Sequence, residues 1–131
     1  MNPPKVLYWL VWIIAVSTLI SGLVQMIDPA FVLRLVRAET TSTTKHFFAI
    51  VGMFMTLFGG MLLHALYAPA QQSVAVFWAG LQKFGASIAV ALGVERNLFA
   101  VVALGIAAFD FASGILVLWY WAKTRAGRNL N

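Results

Sequence analysis

Cysteine is missing from this chain of 131 residues, and charged residues are scarce. Without cysteine the chain has no disulfide, no thiolate nucleophile and no iron–sulfur ligand. Charged residues make up only 10% of the chain, whereas soluble domains carry about 25%. Apolar residues make up 62%, more than a soluble fold of this length can bury. This composition excludes a soluble enzyme, a nucleic-acid-binding protein and a disordered chain, and it indicates an integral membrane protein.

The sequence also lacks the known motifs of catalysis and metal binding. It has no nucleophile elbow, no HExxH pair, no phosphate-binding glycine loop and no paired carboxylates. Its only two histidines are His46 and His64, and the helix between them would hold them about 27 Å apart, too far to ligate one haem. Zinc has no support either, because cysteine and a carboxylate cluster are lacking. We therefore predict a non-catalytic protein without a metal site, and the sequence names no cofactor.

Four segments are long and apolar enough to cross a membrane. A run of about 20 apolar residues spans the roughly 30 Å hydrocarbon layer as a helix. The segments that meet this length cover about residues 6–27, 46–67, 73–94 and 98–122. The sequence therefore predicts an all-α fold, an up-and-down antiparallel four-helix bundle, with residues 1–131 in a single transmembrane domain.

Short polar or proline-containing breaks separate these segments. Asp28-Pro29 is expected to end the first helix, since proline disfavours a helical conformation in the preceding residue, and Ala68-Pro69 separates the second from the third. Glu95-Arg96-Asn97 predicts a tight turn, so the last two helices should form an antiparallel hairpin. The first segment is too long for the apolar part of a signal peptide and no cleavage pattern follows it, so we expect it to be retained.

The longest connection, residues 28–45, has two parts. Apolar residues from Phe31 to Val36, interrupted by Arg34, predict a short helix lying in the headgroup region. That helix is either an amphipathic linker or a lid or docking surface for a partner. The hydroxyl-rich run 40–44 predicts a helix cap before the second span.

Basic residues flank the apolar segments, so anionic lipid headgroups are the expected partners of the net charge of +5, and nucleic acid is not. Four crossings place both termini on one side, with four basic residues on each side: Lys5, Lys123, Arg125 and Arg128 against Arg34, Arg37, Lys45 and Arg96. The cluster at the C-terminal helix end favours cytoplasmic termini. Aromatic residues predict a shared membrane interface for the two ends: Tyr8, Trp9, Trp12, Trp119, Tyr120 and Trp121. The predicted location is a cell membrane, the inner membrane if the source is bacterial.

Two charged residues, Lys83 and Asp110, lie at midspan in the last two helices. Counted from Arg96 in the turn, Lys83 lies thirteen residues back and Asp110 fourteen residues forward. At about 1.5 Å per residue their depths differ by only about 1.5 Å. Small residues at four-residue spacing accompany each charge, which favours close packing of these two helix faces. We predict a Lys83–Asp110 ion pair, or a neutral pair after proton transfer, with Gln82 as a possible third member.

This pair has a structural and a functional interpretation. It could fix helix register and discriminate against misassembly, as other buried polar groups do. Alternatively it could be a proton- or ion-coupled site or an anchor for a polar ligand head group, because ionisable residues inside the membrane often mark function. A lysine that reaches toward the membrane interface is the competing possibility, although midspan makes that reach long.

Two further polar patterns occur in the first two spans. Ser17, Ser21 and Gln25, with Thr18, form a polar stripe that is expected to face the bundle and bond across helices. Together with Gln82 and His64 these residues could line a small polar cavity, although His64 could equally be a hydrogen-bonded or lipid-facing residue. In the second span, three residues at four-residue spacing predict a helix-packing face: Gly52, Thr56 and Gly60.

These patterns favour a small multi-pass membrane protein that is an accessory subunit of a larger membrane complex or binds a lipid-like molecule. The alternative is a small homodimeric proton-coupled transporter that uses Lys83 and Asp110. Four helices enclose little volume, so transport would require self-association. The expected partners are therefore the bilayer and either other membrane subunits or a second copy.

Overall fold

The described part of the chain, residues 3–68 and 72–128 of a computed structural model, is helical and contains no strand. Four of its helices are long and apolar enough to cross a membrane, which confirms the four-helix bundle. The five helices are α1 (Lys5–Ile27), α2 (Pro29–Leu35), α3 (Ser42–Tyr67), α4 (Gln72–Glu95) and α5 (Ala103–Arg128). Residue 69, the proline predicted to separate the second and third spans, lies outside the described residues.

The short helix α2 confirms that a short helix lies between the first two spans. Asp28 caps it by accepting a hydrogen bond from the Phe31 amide at 3.0 Å. Pro29 occupies its first turn, where a backbone N–H would have no acceptor within the helix. Its C-terminal end is closed at Arg37, whose positive φ of 54° lets the Ala38 amide bond to the Leu33 carbonyl at 2.8 Å. The segment thus starts and stops through its own local hydrogen bonds.

The start of α3 lies at Ser42, four residues before the predicted start of the second span. The Thr44 amide donates to Thr41 Oγ1 at 3.1 Å, and the Thr41 amide donates to Thr44 Oγ1 at 2.8 Å. This reciprocal capping box satisfies two amides that a helix start leaves unpaired. The hydroxyl run was therefore correctly predicted as a cap, and it extends the helix farther than the apolar residues alone indicate.

The connection between α4 and α5 is longer than the predicted three-residue turn and runs over residues 96–102. Asn97 takes a positive φ of 57°, and the Leu98 amide bonds to the Gly93 carbonyl at 2.8 Å, which closes the C-terminal end of α4. The Ala100 amide donates to the Val36 carbonyl at 2.8 Å. This bond holds the connection against the end of α2, so both lie at the same end of the bundle, as an up-and-down topology requires.

The bundle consists of two closely packed helical hairpins, α1 with α3 and α4 with α5, which contact each other less extensively. In the first hairpin, glycines bring the two backbones together. A Cβ atom added to Gly22 would lie 2.5 Å from the Thr56 amide nitrogen, and one added to Gly59 would lie 2.5 Å from the Leu19 amide nitrogen. Close approach of small residues is how helices associate in lipid, where the hydrophobic effect does not drive packing.

On α3, Gly52 and Thr56 of the predicted packing face lie against α1, and at its far end Gly59 lies there where Gly60 is predicted. Gly52 is buried against α1, and an added Cβ would lie 2.7 Å from the Met26 amide nitrogen. Gly60, by contrast, is only partly buried, and the nearest atom to an added Cβ is a Leu19 methyl group 3.8 Å away. Gly59 contacts α1 in its place, so the face has spacings of four and three residues.

The main apolar core lies at the end of the bundle where α1 begins and α5 ends. Its buried members are Leu7, Val11, Ile14, Ala15, Leu62, Ala65, Leu66, Val76, Ala79, Val117 and Tyr120. Aromatic side chains join the helices there, since Trp12 Nε1 donates to the Tyr67 hydroxyl and Trp121 Nε1 donates to Ser73 Oγ, both at 3.0 Å. All four long helices contribute to this core. Toward the opposite end, near α2, two cavities are lined by residues of both hairpins.

Candidate functional site

An ion pair joins α4 to α5 at midspan. Lys83 Nζ lies 2.8 Å from Asp110 Oδ1, and the two residues are only 3% and 6% exposed. The sequence-based expectation of matching depth is confirmed by this distance. Each group compensates the charge of the other in a medium where either charge alone is costly. The ammonium also lies 5.7 Å from the centre of the Phe109 ring, an additional favourable contact for a cation.

The small residues around the pair allow the two helices to approach closely. Ser87 and Ala107 are buried one turn away, and Ser87 Oγ donates to the Ala107 carbonyl at 2.8 Å. Ser113 and Gly114 continue the buried stripe on α5 beyond Asp110. This packing holds the carboxylate and the ammonium in one geometry, because both helix backbones are fixed on either side of them.

The pair keeps part of its hydrogen-bonding capacity open. A lysine ammonium has three donors and a carboxylate has two acceptor oxygens, of which the pair uses one donor and Oδ1. Among the described residues, every fully buried side-chain nitrogen and oxygen atom has a hydrogen-bond partner. Asp110 Oδ2 forms no such bond to a described residue, so it keeps some accessible surface, and Asp110 lines the cavities described next. The pair is therefore both buried within the protein and accessible to a small group placed beside it.

A cavity of about 450 Å³ lies next to the pair, along the seam between α1 and α5. This first cavity is lined by polar groups of α1 and by the ion pair: Ser17, Thr18, Ser21, Gln25, Lys83 and Asp110. Its remaining walls are apolar and come from every helix except α4, with α2 covering one side: Ile20, Val24, Phe31, Val32, Leu35, Met55, Gly105, Ile106 and Phe109. The cavity thus has a polar end within an apolar enclosure.

A second cavity of about 510 Å³ lies along the seam between α3 and α4. The two cavities share five lining residues: Gln25, Val32, Met55, Ile106 and Asp110. The second cavity is mostly apolar, and its other polar side chains are Gln82 and the exposed Arg96 at the end near α2. Together the two cavities occupy the space where the hairpins separate, on either side of the shared residues.

The structure brings most of the sequence-predicted cavity residues together, with one exception. Ser17 and Ser21 line the first cavity, Gln82 lines the second, and Gln25 lines both. His64 is exposed near the C-terminal end of α3 and lines neither cavity. Gln82 makes no hydrogen bond to the described ion pair, so a third member of the pair is not found.

The α1 hydroxyls differ from the sequence-based expectation of bonds between helices. Ser17 Oγ and Thr18 Oγ1 both donate to the Ile14 carbonyl of their own helix, at 3.1 and 2.7 Å. Within the described polar stripe of α1, Gln25 alone bonds to another helix, its Nε2 donating to the Phe48 carbonyl at 2.9 Å. A hydroxyl is short enough to reach back one turn of its own helix, whereas the glutamine amide is long enough to reach α3.

Several lining residues were not singled out from the sequence. The apolar residues of α2, together with Met55, Ile106 and Phe109, enclose the first cavity. They look like ordinary lipid-facing residues in the sequence, because an apolar residue facing a cavity and one facing acyl chains have the same chemistry. The amphipathic pattern of α2 was the one available signal that this segment covers part of the bundle.

Comparisons with family models, with curated proteins and with solved structures found no match for this chain. The described residues contain no group of three or more histidine, aspartate or glutamate side chains placed to hold a metal ion. What the site does contain is a buried ion pair beside a largely apolar cavity.

Proposed function

We propose that the protein is a non-catalytic membrane protein that holds a lipid-like molecule between its two helical hairpins. The observation that carries this proposal is the separation of the hairpins near α2, which leaves cavities of about 450 and 510 Å³ with five shared lining residues. Each volume lies within the range of about 300–1,000 Å³ that is usual for small-molecule sites.

The chemistry of the lining supports an amphipathic occupant. Apolar side chains dominate both cavities, while polar groups gather at the ion pair and Arg96 lies at the α2 end of the second cavity. Such sites usually combine an apolar enclosure with a few polar groups that orient the ligand. Residues that line the first cavity are themselves exposed on the membrane-facing surface, among them Ile20, Ser21 and Ile106. A molecule dissolved in the bilayer therefore reaches the cavity without crossing water.

Filling the second cavity is expected to remove the bound molecule. Ala86 lines this cavity and Ala91, one and a half turns along the same helix, does not. We expect Ala86→Phe to lower the amount of lipid-like molecule that co-purifies in mild detergent by about tenfold, because the added ring occupies the space that the apolar chain needs. Native mass spectrometry of the purified protein, followed by extraction and identification of the released molecule, measures this loss.

Ala91→Phe is the matched control, since Ala91 is exposed on α4 and the same ring there faces acyl chains. Its co-purified amount should equal that of the unchanged protein. Equal retention by both variants, or no co-purifying molecule in the unchanged protein, would contradict the proposal.

A second candidate function is proton-coupled transport by a homodimer. The observation that favours it is the open carboxylate oxygen of Asp110, which lines both cavities beside Lys83. Proton uptake by proteoliposomes, abolished in a folded Asp110→Asn variant, together with a symmetric dimer in mild detergent, would support transport. A stable complex with other membrane subunits would instead support the role of an accessory subunit. In each case we place the termini on the cytoplasmic side of a cell membrane, the inner membrane if the source is bacterial, because of the basic cluster at the end of α5.

A further inference from the structure

We infer that the first cavity selects amphiphiles whose head group is uncharged and carries a hydroxyl. This inference rests on the proposed lipid-binding function and names the class of molecule that the polar end of the cavity accepts. Three observations support it: the spare hydrogen-bonding capacity of the ion pair, its zero net charge, and the apolar remainder of the cavity.

The spare hydrogen-bonding groups match a hydroxyl. Lys83 Nζ and Asp110 Oδ1 lie 2.8 Å apart, so the unused ammonium donors and the open Oδ2 belong to one compact site. A hydroxyl oxygen accepts one hydrogen bond and its hydrogen donates another. One hydroxyl therefore satisfies both partners at once, by accepting from the ammonium and donating to Oδ2. An ether or ester oxygen, which only accepts, leaves the carboxylate oxygen without a donor.

The zero net charge of the pair disfavours a charged head group. Lys83 and Asp110 compensate each other, and the first cavity is lined by no other charged side chain among the described residues. A phosphate or ammonium head group would therefore bring an uncompensated charge to midspan, where no counterion lies within reach. Charges in such surroundings are tolerated only when they are paired.

The rest of the first cavity and the adjoining second cavity fit a hydrocarbon chain, which passes between them at the shared lining residues. From the ion pair the walls continue along apolar side chains of α1, α5 and α2, including Val24, Ile106 and Phe31. The residues that could attract an anion, Arg34, Arg37 and Arg96, are not part of this lining. An acidic lipid would therefore be held at the headgroup level outside the first cavity, and the polar end of that cavity would stay available to a neutral molecule.

Photocrosslinking with three probes of equal chain length tests this inference on the unchanged protein. The probes are diazirine-bearing derivatives of tetradecanol, tetradecyl phosphate and tetradecyltrimethylammonium, each added at the same concentration to the protein in phosphatidylcholine vesicles, whose lipid head group carries no hydroxyl. Mass spectrometry of the peptides that line the first cavity, from α1 and from α5 around Phe109, gives the yield at the site itself. We expect the alcohol to give at least about tenfold more product there than either charged probe, as the cost of a midspan charge implies.

Each outcome has a distinct meaning. A charged probe that labels these peptides as strongly as the alcohol overturns the inference and leaves the proposed lipid binding intact. Labelling by none of the three probes, together with no co-purified molecule, overturns the proposed function as well. Ser21→Phe, which narrows the first cavity alone, should abolish labelling by the alcohol, and undiminished labelling would show that the product forms outside the cavity.

A charge variant provides an independent measurement. Asp110→Asn removes the compensation of Lys83, and it is expected to reverse the preference so that the phosphate probe exceeds the alcohol at the same peptides. An unchanged preference in a folded Asp110→Asn protein would show that the charge of the pair does not decide selection. If this variant does not fold, the comparison of probes on the unchanged protein still decides the inference.

Discussion

Lys83→Met is expected to lower the free energy of unfolding by about 3–5 kcal/mol, because it leaves the carboxylate of Asp110 buried without a counterion. Asp110 is 6% exposed and lies at midspan, so the little water that reaches it from the cavities stabilises the carboxylate far less than the ammonium does. The double variant Lys83→Met/Asp110→Leu should recover to within about 1 kcal/mol of the unchanged protein, since replacement of both charges removes the desolvation penalty together with the attraction. Unfolding by SDS in mixed micelles, followed by circular dichroism, measures the three proteins.

The matched control for this cycle is Gln82→Leu. Gln82 is the neighbour of Lys83 on α4, is half-buried, and forms no hydrogen bond to the pair, so its loss should change the unfolding free energy by less than about 1 kcal/mol. A double variant as unstable as Lys83→Met would mean that the pair contributes more than charge compensation. If the Lys83→Met variant is as stable as the unchanged protein, the Lys83 ammonium does not stabilise the buried carboxylate of Asp110.

Gly59→Ala is expected to destabilise the α1–α3 hairpin by about 1–3 kcal/mol, the usual range for overpacking. The added methyl group would lie 2.5 Å from the Leu19 amide nitrogen and 3.0 Å from the Ala15 carbonyl oxygen. These are backbone atoms, which cannot rotate away as a flexible side chain can, so the two helices must separate. The SDS titration used for the ion pair detects this change as a lower unfolding midpoint.

Gly60→Ala, at the adjacent position, separates this clash from the general effect of alanine in a helix. Its methyl group would have a Leu19 side-chain carbon 3.8 Å away, an ordinary contact. Alanine favours the helix over glycine by about 1 kcal/mol, so Gly60→Ala should be neutral or stabilising. If both variants lose stability equally, the close approach at Gly59 does not hold the hairpin together.

The position of the ion pair was predictable because an antiparallel helical hairpin fixes depth by residue count. The prediction assumed a three-residue turn, whereas α5 begins only at Ala103. It still held, because the residues before α5 form successive short turns, with the Ala103 amide bonded to the Ala100 carbonyl and the Leu104 amide to the Val101 carbonyl. Such i→i+3 turns rise by about 2 Å per residue, close enough to a helix to keep Lys83 and Asp110 level.

The packing face of α3 shows a limit of spacing rules. Four-residue spacing from Gly52 leads to Thr56 and then to Gly60, but each helical residue turns by about 100°, so eight residues rotate the face by about 80°. Seven residues bring it back to within about 20°, which is why Gly59 contacts α1. The choice between the adjacent glycines therefore follows from the helical repeat over two turns, which a four-residue spacing applied twice does not reproduce.

The sequence by itself determined the membrane crossings, the cap of α3 and the level of the two midspan charges, because each depends on composition or on residues close along one helix or hairpin. The tertiary structure alone decided which helices pack as hairpins, where those hairpins separate and which side chains line the resulting cavities. It also placed His64 outside both cavities and Gln25 in the lining of both. The physical reason is that lipid and protein interior are both apolar, so hydrophobicity cannot tell a lipid-facing side chain from one that faces a neighbouring helix or a cavity.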